Sequence, residues 1–274
     1  MRRSVKWGAA SLGSRYNRPM LTFSLQSGSN GNSIYVEANG VRLLFDAGIS
    51  GSMAERRMAV HGRDIRDVDA LLISHDHRDH VGCAGIFQRK FGLPIYITRS
   101  TYGATSRWCD LGRLSEVRYF RSGETLTFGQ VRVRTIRTVH DAADGVGFVV
   151  ESDGKRLGIL TDLGHVFDGL RTVVEGLDGV YLESNYDPEM LETGSYPAML
   201  KARISGPNGH LSNDVAAGLL KACGRQRPRW VAVAHLSQDN NHPELAIAAQ
   251  RDAVGRDYPV YLASRFETSE VLTL

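Results

Sequence analysis

Residues 75–80 read His-Asp-His-Arg-Asp-His, three imidazoles and two carboxylates within six positions, directly after the short apolar run of 69–74. A core accommodates one hydrogen-bonded histidine, whereas three crowded at a strand end would repel on protonation unless a cation organises them. In an extended segment residues two apart share a face, so His75 and His77 can chelate one ion while Asp79 and His80 reach a second. Imidazole and carboxylate without thiolate suit zinc, manganese or iron. The chain has nine histidines, and few residues can complete such a site. His140 follows an apolar run ending at Val139, Asp162 follows Leu160-Thr161, and His235 follows 231–234. Each is delivered just beyond an apolar strand, as the first cluster is. The resulting assignment is His75, His77 and His140 on one divalent ion, Asp79, His80 and His235 on the other, with Asp162 bridging.

The elements that must position these groups alternate along the chain. Strands are predicted at 21–25, 34–36, 41–45, 69–74, 94–97, 117–120, 124–128, 131–139, 147–150, 156–160, 180–183, 230–234 and 260–262, where short apolar or alternating runs are bounded by turn residues. Asn39-Gly40 between two of them is a tight hairpin turn. Helices are predicted at 53–60, 82–91, 167–175, 213–222 and 243–254, with Ser212 as the N-cap of the fourth and Gly224 closing it. Asn240, Asn241 and His242 before Pro243 read as the cap of the last helix, and 27–32 as a turn or a phosphate-binding backbone nest. Hairpins mixed with helices in both halves imply an α/β fold of two packed sheets covered outside by helices, rather than one doubly wound parallel sheet. No dinucleotide fingerprint or P-loop is present.

The 274 residues carry 33 Lys plus Arg against 30 Asp plus Glu, a formal +3. That excess is local: residues 1–20 hold Arg2, Arg3, Lys6, Arg15 and Arg18 without an acid, so a basic N-terminal extension is expected before one domain over 21–274. An apolar fraction of 42% with 23% charged residues excludes disordered, collagen-like and coiled-coil classes. No apolar run approaches a membrane span, and no apolar stretch of signal-peptide type follows the basic start, which points to the cytoplasm and away from membranes. Cys83, Cys109 and Cys223 fit neither a disulfide framework nor a zinc ribbon and read as free, at least half-buried thiols. Between Arg99 and Arg137 eight arginines face three acids, with Trp108, Tyr119 and Phe120 interleaved, either a phosphate track or a solvated face. A second basic run is Lys221, Arg225, Arg227 and Arg229.

The order H-x-H-x-D-H, single His, single Asp, final His resembles the metallo-β-lactamase superfamily over about residues 21–265. Ser27-Gly-Ser-Asn-Gly-Asn32, Val139-His140-Asp141-Ala142, Thr161-Asp162-Leu163-Gly164, Leu182-Glu183-Ser184-Asn185, Gly209-His-Leu-Ser-Asn213 and 235–241 are similar to the YycJ/WalJ family. The resemblance implies an αββα four-layer sandwich, a pair of divalent ions (zinc or manganese, with iron as a further choice) and DNA exonuclease activity by attack of a bridging hydroxide. It also implies that His210 and Glu183 assist catalysis beside the metal pair, together with the ligand Asp79. The stretch departs from those relatives at Tyr186, where they usually carry His, so no role is carried over to that position. Rival chemistries on the same ligands are a glyoxalase II-like thioesterase and an RNA-processing nuclease; a non-catalytic nucleic-acid-binding module is a third class. A redox di-iron protein usually has Glu where this chain has His77. Only 72 residues separate Asp162 from His235, too few for the large extra domain of RNase J relatives.

Overall fold

A computed structural model describes residues 19–274, so the basic extension lies almost entirely outside the described residues. Among the described residues fourteen strands form two seven-stranded sheets. The first holds β1 (Leu21–Gln26), β2 (Ser33–Ala38), β3 (Val41–Phe45), β4 (Ala70–Leu72), β5 (Ile95–Thr98) and β6 (Val117–Phe120). The second holds β7 (Thr125–Phe128), β8 (Val131–Arg137), β9 (Val146–Ser152), β10 (Lys155–Leu160), β11 (Gly179–Glu183), β12 (Trp230–Ala234) and β13 (Val260–Leu262). A short β14 (Leu272–Thr273) returns to the outer edge of β1. In each sheet the antiparallel hairpins give way to parallel pairing, β3 through β6 and β10 through β13.

Period-two alternation sorts the side chains into layers. Leu43 and Phe45 of β3 point between the sheets, where Phe45 meets Phe148 with ring centroids 5.0 Å apart, while Leu44 points outward. Helices Gly51–Val60 and Ala84–Phe91 cover the first sheet through Met58, Phe87 and Phe91. Helices Leu170–Glu175, Asn213–Ala222 and Pro243–Val254 cover the second through Leu170, Leu219, Leu220 and Ala246. The result is the four-layer sandwich expected from the sequence. No helix among the described residues is long and apolar enough to cross a membrane.

The fold corrects two expectations. Residues 75–80 are not extended throughout: Arg78–Val81 is a helical turn, and the helix expected at 82–91 begins at Ala84. Asp79 and His80 therefore turn inward by helical rather than strand geometry. Gly48 permits this, because a Cβ there would occupy the space of the Asp79 carbonyl, which accepts from Asn32 N at 2.7 Å. Helices Arg99–Thr105, Pro188–Thr193 and Ala198–Ile204 are not evident from the sequence pattern. The first is rich in Ser, Thr and Gly, poor helix formers that the Thr98 cap overrides. The last buries no residue and so shows no core-facing stripe.

Candidate active site

All the singled-out ligand residues converge at one end of the sandwich, beyond the carboxyl ends of β4, β8, β10 and β12. The backbone there is held in an uncommon conformation. Among the described residues five non-glycine positions have positive φ, and two of them, Asn39 and Asp153, are followed by glycine in hairpin turns. The other three are Asp46 (65°), Asp162 (59°) and His235 (55°), each placed just past a strand. A left-handed residue at the end of a strand turns its side chain back across the sheet end, at a cost of about 1–3 kcal/mol that the surrounding packing must hold.

The imidazoles are fixed from behind. His80 Nδ1 donates to Asp46 Oδ2 at 2.8 Å, and His75 Nδ1 donates to Ser74 Oγ at 3.0 Å. Ser74 Oγ donates on to Asp46 at 2.9 Å. His140 Nδ1 donates to the Gly209 carbonyl at 2.8 Å, and His235 Nδ1 to Glu183 Oε1 at 3.0 Å. These bonds place a proton on the outer nitrogen and turn Nε2 inward; against burial, Asp162 and Asp79 raise His80 well above its usual range and Asp162 raises His235 to about 10, so these two also carry an Nε2 proton that a cation would displace. His77 is reversed: its Nε2 meets the Asp141 carbonyl at 3.2 Å, and its Nδ1 lies 3.2 Å from His140 Nε2.

Four overlapping groups of donor atoms among the described residues could hold a cation: His75 with His77 and His140, Asp79 with His80 and His235, His75 with His80 and Asp162, and Asp162 with Glu183, His210 and His235. Asp162 lies between the first two. Its carboxylate is 3.2 Å from His80 Nε2, 3.6 Å from His140 Nε2 and 3.9 Å from His75 Nε2. Burial, and next the charge of His80, hold the His75 imidazole well below its usual range, which keeps it neutral and able to ligate. Burial alone would raise Asp162; His235 and next His80 outweigh it and hold this carboxyl well below the carboxylate range. Buried His75 Nε2 and Asp162 Oδ2 have no hydrogen-bond partner. Orphaned inward-facing acceptors of this kind are what a cation would satisfy.

Glu183 ends β11 and is fully buried. Its carboxylate accepts from Asp162 N (3.3 Å), Leu163 N (2.8 Å), Leu211 N (3.1 Å), His210 Nδ1 (2.8 Å) and His235 Nδ1 (3.0 Å). Burial pushes it up, but the His210 charge and the His210 and His235 hydrogen bonds prevail and lower it to about 2. Five donors share its two oxygens, an arrangement suited to holding His210 and His235 in place. His210 keeps one ring nitrogen free and lines an open cleft of about 510 Å³ with His77, Asp79, Asp162 and His235. Ser212 caps the next helix by accepting from Val215 N, as expected. Tyr186 is buried, and its carbonyl accepts from Asn213 N at 2.9 Å, so position 186 braces the His210 loop through its backbone.

Several residues are missed or misread from sequence alone. Asp46 bears the same signature as the ligands, a carboxylate one residue past an apolar strand, and could have been found by that rule. Asn32 within 27–32 turns its amide to His80 Nε2 at 2.9 Å while Oδ1 accepts from Gly28 N at 2.9 Å. Asn241 does not cap the last helix; it is buried and donates to the Ser184 and Asn185 carbonyls at 2.8 and 3.1 Å. Asn185 in turn donates to the His235 carbonyl at 2.8 Å. Arg203 and Trp108 line the cleft, a placement that the sequence pattern does not signal. Of the basic run 99–137, Arg118 pairs with Glu116 at 2.6 Å, and Arg132 lies 4.0 Å from Glu151. Cys83 and Cys109 are half-buried and Cys223 buried, all free thiols.

A family model described as "Beta-lactamase superfamily domain" matches residues 41–235. The exodeoxyribonuclease WalJ of Streptococcus pneumoniae is 38% identical over 247 residues, covering 86% of this chain and 91% of that protein. The exodeoxyribonuclease YycJ of Bacillus anthracis is 35% identical over 222 residues, covering 81% and 84%. In three dimensions the chain resembles the metallo-β-lactamase fold protein YhfI from Bacillus subtilis, with a TM-score of 0.71 at 16% identity, covering 93% of this chain and 99% of that one. It also resembles the short form of human tRNase Z, with a TM-score of 0.62 at 17% identity and coverage of 92% and 99%. From the sheet order, the matched segment running from β3 to His235 and these relatives, the chain belongs to the metallo-β-lactamase superfamily and, within it, to the YycJ/WalJ family.

Proposed function

We propose that this protein is a metal-dependent exodeoxyribonuclease working in the cytoplasm. The observation that carries the reading is the junction, at one cleft, of a donor set suited to two cations with the pair of buried Glu183 and half-buried His210. His75, His77 and His140 would hold one divalent ion, Asp79, His80 and His235 the other, and Asp162 would reach both. The orphaned His75 Nε2 and Asp162 Oδ2 fit that arrangement, and the donor chemistry suits zinc or manganese, with iron also accommodated. When bound, such ions supply Lewis acidity toward a phosphoryl oxygen and a water acidified for attack near neutral pH.

The chain's own residues do the rest. Asp46, Ser74, Glu183 and the Gly209 carbonyl hold the imidazoles in the ligating tautomer, which keeps the donor atoms in place before a cation arrives. His210, tethered by Nδ1 to Glu183, presents its remaining nitrogen to the cleft. There it can hold a proton for the leaving oxygen of a phosphodiester. The exodeoxyribonucleases similar over most of both chains support DNA as the substrate over RNA, and three free thiols accord with a reducing compartment. The test is to incubate metal-reconstituted protein with end-labelled single- and double-stranded DNA and RNA and to follow product length over time. Progressive shortening of DNA from one end is expected. Internal cuts, or thioester hydrolysis with DNA left intact, would refute the assignment.

A further inference from the structure

Residues 106–116 between helix Arg99–Thr105 and β6 form neither helix nor strand, yet they are firmly seated. Trp108 N and Cys109 N donate to the Thr105 carbonyl at 3.1 and 2.9 Å, and Asp110 Oδ1 accepts from Gly112 N at 2.8 Å. The Leu111 carbonyl accepts from Arg89 and lies against Gly85, in the space a side chain there would take. Leu111 is buried, and Cys109 packs on the same apolar cluster. The Trp108 side chain stands apart from this anchoring. It is 45% exposed and forms part of the wall of the catalytic cleft. Exposed Arg78 and Arg203 line the same cleft, Arg203 tethered to Asp141 at 2.6 Å.

Cations beside an exposed aromatic face are the two parts of a single-strand binding site, charge for the phosphates and a π-face for the bases. We propose that Trp108 stacks on the base of the nucleotide next to the scissile phosphate, so that a DNA end enters the cleft unpaired. The proposal rests on the exonuclease reading above. A base inside a duplex keeps both faces in its own stack, so cleavage of a blunt end waits on fraying. The loop's anchoring matters because a rigid platform loses little freedom when the base docks.

The test is steady-state cleavage of a single-stranded DNA oligonucleotide by the metal-loaded full chain. Trp108→Ala is expected to raise KM about 10- to 100-fold with kcat within about threefold, and Trp108→Phe to recover most of the loss. An abasic residue placed at either strand end in turn should, at one end, impose the same penalty on the wild type and none further on Trp108→Ala, as one shared interaction requires. Wild-type KM in Trp108→Ala, or equal losses on intact and abasic strands, overturns the stacking and leaves the exonuclease standing. Wild-type protein that leaves every DNA strand intact overturns the exonuclease reading and this proposal with it.

Discussion

Replacing Glu183 by Gln keeps the volume and removes the charge, and the hydrogen bonds around the carboxylate set the cost. Oε1 accepts from Asp162 N, His210 Nδ1 and His235 Nδ1; Oε2 accepts from Leu163 N and Leu211 N. An amide can present its oxygen to only one of these groups. With oxygen toward the histidines, its NH2 opposes Leu163 N and Leu211 N, leaving two buried donors unsatisfied at about 1–3 kcal/mol each. With oxygen toward the backbone, His235 must surrender its Nδ1 proton and carry it on Nε2, which removes a ligand lone pair and costs roughly 10- to 100-fold in metal affinity. Either outcome is measurable: urea midpoints of metal-free protein for the first, competition with a chromophoric chelator for the second. The pH dependence adds a sign. Glu183 titrates at about 2 in the folded chain against 4.5 unperturbed, so its stabilisation is complete above 4.5 and is lost as pH falls toward 2. The deficit of Glu183→Gln in metal-free protein should accordingly shrink across that window. A variant with wild-type midpoint and wild-type metal affinity would refute the account of Glu183 as the buried organiser of the site.

Asp46→Asn should lower metal affinity about 10- to 100-fold, because one amide oxygen cannot accept from both Ser74 N and His80 Nδ1 and the carboxylate charge behind His80 is lost, while circular dichroism shows the fold retained. His210→Ala should reduce kcat about 100-fold or more with full metal content; loss of metal instead would make His210 a ligand. Stripping the cations with a chelator should lower the melting temperature, because binding at 100 times the dissociation constant contributes about 2.7 kcal/mol. A melting temperature indifferent to chelator would count against a site built for cations.

Much of this site is legible along the chain because its candidate ligands are local events. Each lies just past a strand that announces itself by apolar residues, and His75, His77, Asp79 and His80 lie within one short segment. The strand pattern, with the turn at Asn39-Gly40, likewise carries the two-sheet architecture, since register and facing derive from period-two alternation. Other features are set by contacts between distant segments. Asp46 reaches His80 across 34 residues and Glu183 reaches His235 across 52, separations at which spacing carries no signal. Asp and His are among the residue types that tolerate the left-handed backbone found at Asp46, Asp162 and His235, but the sequence does not mark which of them adopt it. Trp108 is one aromatic among several in a basic run until packing buries Leu111 beside it and leaves the indole on the cleft wall. Composition and order determine which groups are available and near which strand ends. The three-dimensional packing decides which nitrogen of each imidazole faces inward and which side chains remain free to meet a substrate, because both depend on hydrogen-bond partners that only the folded chain brings within about 3 Å.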